Sequence, residues 1–293
     1  MTNATASSLA RLVWELVTGR RPVERSGPLL ATFIDLPAPV RDAVRWVVRP
    51  KRRFLYGRLR VLAGDRVMSG PFEGMQLAGL PAAPELVGCF EHELFDIVRE
   101  LAARPFRRVV NVGARYGYYA IGLARLMPTV EVYAFEAIDE VRRTLAAAAA
   151  ANDVAVRVRI GGYCDIPELA AALDDGDGVL VVCDIEGGEV SLLDLARVPA
   201  LRRATLLVEC HGPPEDPTEP VIARRFLSTH ELRRVGTEQR VLAHLPAGVA
   251  EPWRGRMPTT LEALMQEHRT PPQSWLLLTP RARAAAAPHP SAD

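Results

Sequence analysis

Two short stretches of the 293-residue chain place acids and an imidazole directly behind apolar runs: LVVCDIEGGEV at 180–190 and LLVECH at 206–211. The first carries Asp184, Glu186 and Glu189, with Gly187 and Gly188 between the last two. The second ends in Glu209 and His211. Acids and a histidine in this pattern can cap a helix, chelate a divalent ion, or take a proton from a substrate. His211 is the natural general base, because an unperturbed imidazole titrates at about 6.5. Glu209, two residues earlier on an expected strand, faces the same way and could orient it. The alternative is a metal held by Asp184, Glu209 and His211, with Glu186 as a further oxygen donor. Base catalysis without a metal is the preferred expectation. Glu189 is assigned to a helix N-terminus, where the dipole favours an acid.

These residues need a scaffold that brings two strand ends together. From residue 107 apolar runs alternate with helical periodicity: RRVVNVG, EVYAFEA, VRVRIGG, GVLVVCDIE and TLLVECH read as strands, and the segments between them as helices. DEVRRTLAAAAAAND, PELAAALDD and GEVSLLDLARVPALRRA are among those helices, while ELRRVGT and SWLLLTP are two last strands. Such alternation predicts an α/β fold, a mostly parallel sheet with helices on both faces. Before it, SSLARLVWELVTG and PVRDAVRWVV have helical apolar spacing, GPFEGMQL reads as a turn or hairpin, and PELVGCFEHELFDIVREL as one helix. The expected organisation is a helical extension over 1–68, the α/β domain over 69–283 and a disordered tail over 284–293.

Open sheets of this kind bind ligands at the carboxyl ends of their strands. The first strand runs into NVGARYGYYA, where Gly113 and Gly117 let the turn approach a ligand and the next helix offers its first amides. About twenty residues on, FEA places Glu136 at the end of the second strand, suited to accept both ribose hydroxyls. Dinucleotide sites require G-x-G-x-x-G, but Arg115 stands at the middle glycine position. A ligand with a ribose and no pyrophosphate fits better, and S-adenosyl-L-methionine is the common one. Two further classes stay in view: a catalytically silent cofactor-binding interaction subunit, and, less favoured, an NAD-dependent oxidoreductase.

In order and spacing, NVGARYGYYA, VYAFEA, VVCDIEGGE and VECH resemble the FkbM-like family of S-adenosylmethionine-dependent methyltransferases, as do the upstream GPFEGM and LVGCFEHEL. The resemblance covers residues 69 to 280. It implies a Rossmann-like class I methyltransferase fold, seven strands with the last antiparallel, and methyl transfer to an oxygen of a small polar acceptor such as a natural product or sugar. By position, Gly113, Ala114 and Gly117 would line the methionine and ribose, and Glu136 the ribose hydroxyls. Gly162, Tyr163 and Cys164 follow the third strand, where adenine lies in this fold; Tyr163 either stacks on it or covers the sheet edge. Glu91 resembles a residue placed over the cofactor, with an exposed helix glutamate as the alternative. Asn111 stands where many methyltransferases carry an acid; it can hydrogen-bond near the methionine end but cannot neutralise an ammonium group. Asp184 would lie closest to the transferred methyl.

Composition sets the outer limits. Net charge is +1, which argues against a bulk nucleic-acid partner. The four cysteines, Cys89, Cys164, Cys183 and Cys210, show no C-x-x-C spacing, so a reduced compartment is the simpler expectation. The N-terminus lacks the pattern of a secretion signal, and no stretch approaches a membrane span. A cytoplasmic protein without stable membrane insertion is expected, whose N-terminal helices could support a homo-oligomer.

Overall fold

The two apolar runs that carry the acids form strands buried at every residue, β4 (Val179–Cys183) and β5 (Thr205–Cys210). Continuous Val/Leu runs are what a strand covered on both faces requires. In the computed structural model, which describes residues 53–211, 218–246, 255, 258–267 and 273–281, they join β1 (Arg108–Val112), β2 (Glu131–Phe135), β3 (Val158–Gly161), β6 (His230–Gly236) and β7 (Ser274–Pro280). The seven strands lie in the order β3-β2-β1-β4-β5-β7-β6. All neighbours pair in parallel except β7, which runs antiparallel to both β5 and β6. This is the mostly parallel sheet expected from the alternation, with the seven strands and the antiparallel last strand of the Rossmann-like fold that the resemblance implies. Helices expected over SSLARLVWELVTG and PVRDAVRWVV, and the tail over 284–293, fall outside the described residues.

By its internal contacts the chain divides into two compact units, Met1–Val98 with Glu238–His268, and Arg99–Thr237 with Arg269–Asp293. The first is built on a helix over residues 53–63 (α1), a short α2 (Ala83–Val87) and a helix near its end, Pro258–Met265. Leu55, Leu59, Leu86, Leu261 and Met265 form its apolar core. The expected hairpin in GPFEGMQL is present as a small antiparallel bridge between Arg66 and Gln76. The buried Arg240 guanidinium pairs with Glu93 at 2.6 Å and Glu267 at 2.7 Å.

Two long helices read from the sequence are broken, each for a local reason. PELVGCFEHELFDIVREL does not run through. It stops at Gly88, which takes a left-handed φ of 84° because a Cβ there would lie 2.0 Å from the Ser69 carbonyl oxygen. Glu91 is also left-handed, and helix resumes only at α3 (Phe95–Ala102). GEVSLLDLARVPALRRA retains four helical residues. There the Asp194 carboxylate accepts from the amides of Ala196 and Arg197, and Pro199 opens a separate 3₁₀ turn.

The second unit holds the whole sheet. Helices α4 (Tyr118–Leu126), α5 (Asp139–Ala151), α6 (Ile166–Leu173), α7 (Glu189–Leu192) and α8 (Thr218–Phe226) connect its strands. After β1 the chain moves outward through β2 and β3, then returns to place β4 on the other flank of β1. That reversal opens a crevice at the carboxyl ends of β1 and β4.

Candidate functional site

Gly113 follows β1 at this crevice, with φ 79°; a Cβ there would sit 1.7 Å from the Asp184 carbonyl oxygen. Only glycine fits, so the turn after β1 and the turn after β4 run in direct backbone contact. The amides of Gly113 and Ala114 donate to the Phe135 carbonyl, at 3.0 and 2.9 Å, which ties the turn to the end of β2. Gly117, at φ 96°, begins α4 where a Cβ would meet Leu145 and Ile121 within 2.7 Å.

Glu136 is buried immediately after β2. Its Oε2 accepts from the Arg115 amide and its Oε1 from the Ile138 amide, both at 2.9 Å. A carboxylate offers about four lone-pair positions, so both oxygens keep room for hydroxyl donors. Arg115, at the position a dinucleotide site gives to glycine, adopts φ 45° to aim that amide. The Asn111 amide is buried within the sheet and donates to the Val182 carbonyl at 3.3 Å. Cys164 is buried, which pushes its thiol up to about 12, and Tyr163 beside it is 77% exposed. Gly162 lies against the Arg142 side chain. Glu91 belongs to the first unit, where it is buried and its amide donates to Glu267 at 2.9 Å.

The acids converge on His211. Parallel register pairs Cys183 with Val208, so Asp184 and Glu209 emerge level from adjacent strands. The imidazole, 7% exposed, has Nδ1 2.9 Å from Glu189 Oε1. Around Nε2 stand Glu186 Oε2 at 3.5 Å, Asp184 Oδ1 at 3.6 Å and Glu209 Oε2 at 3.7 Å. Thus Glu189, not Glu209, orients the ring. Its carboxylate is fully buried and also accepts from the amides of Ile185 and Gly187. Glu186, with φ 56°, and Gly187, with φ 108°, make the left-handed turn that folds α7 back so that its first residue reaches His211. Gly188 caps that helix, so neither Asp184 nor Glu186 does.

Burial pushes the His211 pKa down. The hydrogen bond to Glu189 and the charges of Asp184, Glu189 and Glu186 outweigh it, leaving the group above the ordinary imidazole value. Burial also raises Glu189, but hydrogen bonds from His211 and backbone amides including that of Gly187 hold it below the ordinary carboxylate range. His211 and Glu189 thus form a buried hydrogen-bonded pair in which each favours the charged form of the other, with three more carboxylates around Nε2.

No protein-family model matches the chain, and no curated protein does. Among solved structures, a putative O-methyltransferase from Klebsiella pneumoniae is 15% identical, with a TM-score of 0.43 over 78% of this chain and 90% of that one. The O-methyltransferase TomG from Streptomyces achromogenes, solved with SAM, is 16% identical, with a TM-score of 0.41 over 69% and 92%. Cofactor-bound Rv0187 from MTB is 20% identical, with a TM-score of 0.38 over 48% and 71%. Among the described residues no helix is long and apolar enough to cross a membrane.

Proposed function

We propose that the chain is a cytoplasmic S-adenosyl-L-methionine-dependent methyltransferase that methylates an oxygen of a small polar acceptor, a natural product or sugar, and that it belongs with the FkbM-like enzymes. The observation that carries this reading is the backbone contact of Gly113 with Asp184. It sets a glycine turn with a buried ribose-type carboxylate against a strand end bearing an acid and a histidine. Gly113, Ala114 and Gly117 form the turn that would line the methionine and ribose, and Glu136 retains acceptor capacity for two ribose hydroxyls. Gly162, Tyr163 and Cys164 border the adenine side, and Asn111 braces the strand beneath the methionine end. Bound there, S-adenosylmethionine supplies a methyl group already activated on a sulfonium.

The protein has then to hold the acceptor oxygen in line and remove its proton. Asp184 faces the positive sulfonium side. The acceptor hydroxyl is placed against Nε2 of His211, whose other nitrogen is held by Glu189, and Glu186 and Glu209 border the same position. A thermal-shift comparison tests the reading. S-adenosylhomocysteine should raise the melting temperature and NADH should not; the reverse pattern would replace the methyltransferase by an oxidoreductase.

A further inference from the structure

The two faces of the His211 ring are not equivalent. On one, Nδ1 meets a carboxylate at 2.9 Å, which at neutral ring charge fixes the proton on Nδ1 and turns the Nε2 lone pair outward. On the other, Nε2 looks into three carboxylate oxygens at 3.5–3.7 Å, beyond ordinary hydrogen-bond length. Three anionic oxygens gathered around one ring nitrogen call for a positive charge between them, and a metal ion on the Nε2 lone pair supplies it as a proton does.

We propose that this position is a divalent-cation site, with Asp184, Glu186 and Nε2 of His211 as ligands and Glu209 closing the buried side. The ligand atoms of the first three lie within 4.8 Å of one another, so small rotations bring them around one ion. Two ligands emerge from the turn after β4 and one directly after β5, and the imidazole is more than nine-tenths buried and aimed into the cluster. Glu189 supplies the remaining component: metal-bound histidines donate their other N–H to a carboxylate, which sets the tautomer and raises ligand basicity. Oxygen donors with one imidazole suit a borderline ion such as Mn²⁺, Fe²⁺ or Zn²⁺. Exposure of Glu186, 84% at its side chain, leaves one side of the ion open to solvent or substrate.

A second group of the right residue types, His92, Glu238 and His244 in the first unit, lacks this form. Its rings stack 4.0 Å apart with planes 11° from parallel, the Val241 amide donates to His244 Nδ1 at 3.4 Å, and burial together with the nearby Arg240 cation lowers both histidines.

Ion binding stands apart from the methyl-transfer reading; its consequence rests on it. With an ion on Nε2, the imidazole no longer takes the acceptor's proton, and the ion itself acidifies a coordinated hydroxyl.

The test is Mn²⁺ titration of the full chain followed by electron paramagnetic resonance, with no nucleoside present. One Mn²⁺ per chain is expected, with ¹⁴N spin-echo modulation from the imidazole. Asp184→Asn and His211→Ala should abolish tight binding, and Glu189→Gln should weaken it about 10–100-fold. Circular dichroism melts confirm that each variant is folded. No stoichiometric binding at millimolar Mn²⁺, or binding unchanged in folded Asp184→Asn and His211→Ala, overturns the proposal. Because the nucleoside is absent, that failure leaves the methyltransferase reading intact, and failure of S-adenosylhomocysteine to bind leaves the ion site intact.

Discussion

Glu189 Oε1 and His211 Nδ1 lie 2.9 Å apart, with the carboxylate fully buried at the start of α7 and the imidazole at the end of β5. The contact decides which histidine nitrogen works, because a ring held at Nδ1 can present only Nε2. Glu189→Gln keeps the size of the side chain and removes the charge. It should lower kcat about 10–100-fold while leaving affinity for S-adenosylhomocysteine near wild type. Equal losses in both would show that Glu189 supports the whole site rather than the ring.

The same pair predicts a pH window for stability. His211 is raised above its ordinary value of 6.5, so its contribution is full below that value and is lost as pH climbs through the raised pKa. Glu189 is lowered below its ordinary value of 4.5, so its contribution is full above that value and is lost as pH falls through the lowered pKa. In chelator-treated protein the melting temperature should therefore fall at both ends of the interval between them. Glu189→Gln should flatten both limbs; an unchanged profile would mean that the pair carries little stability.

How far this was readable in sequence divides at the turns. β1, β4 and β5 were legible because buried parallel strands write continuous apolar runs, and the positions of Gly113 and Glu136 just after β1 and β2 were legible because each follows directly on such a strand. The role of Glu189 was not. A helix-start acid is ordinarily explained by the dipole, and only the left-handed backbone at Glu186 and Gly187 turns it back onto His211. The broken helix at Gly88 was hidden similarly, since its cause is Ser69, distant in sequence. Contacts made across the chain leave no periodicity to read.

The crevice geometry predicts a contrast between two left-handed glycines. Gly113→Ala must displace the Asp184 carbonyl, 1.7 Å from the new Cβ, as well as bear the strain of φ 79°. Gly187→Ala bears only strain, since nothing lies within 4 Å, a cost of about 1–2 kcal/mol. Thermal melts should show Gly113→Ala to be much the more damaging, with Gly187→Ala retaining the fold; equal losses would contradict the close approach.

In the first unit, Arg240→Met should cost about 3–5 kcal/mol, because Glu93 and Glu267 are left buried and facing each other without their cation. Adding Glu93→Gln and Glu267→Gln should recover much of it. Urea denaturation measures both; a single variant as stable as wild type would mean that water reaches these acids.

What the crevice between β1 and β4 binds decides the proposed function most directly. Isothermal titration of S-adenosylhomocysteine into the full chain should give a saturable one-to-one isotherm. Glu136→Ala, which removes both ribose acceptors, should weaken it by at least about tenfold, the 1.4 kcal/mol scale of a lost charged hydrogen bond. No heat from S-adenosylhomocysteine, or binding indifferent to Glu136→Ala, would contradict the assignment of this crevice to the methyl donor.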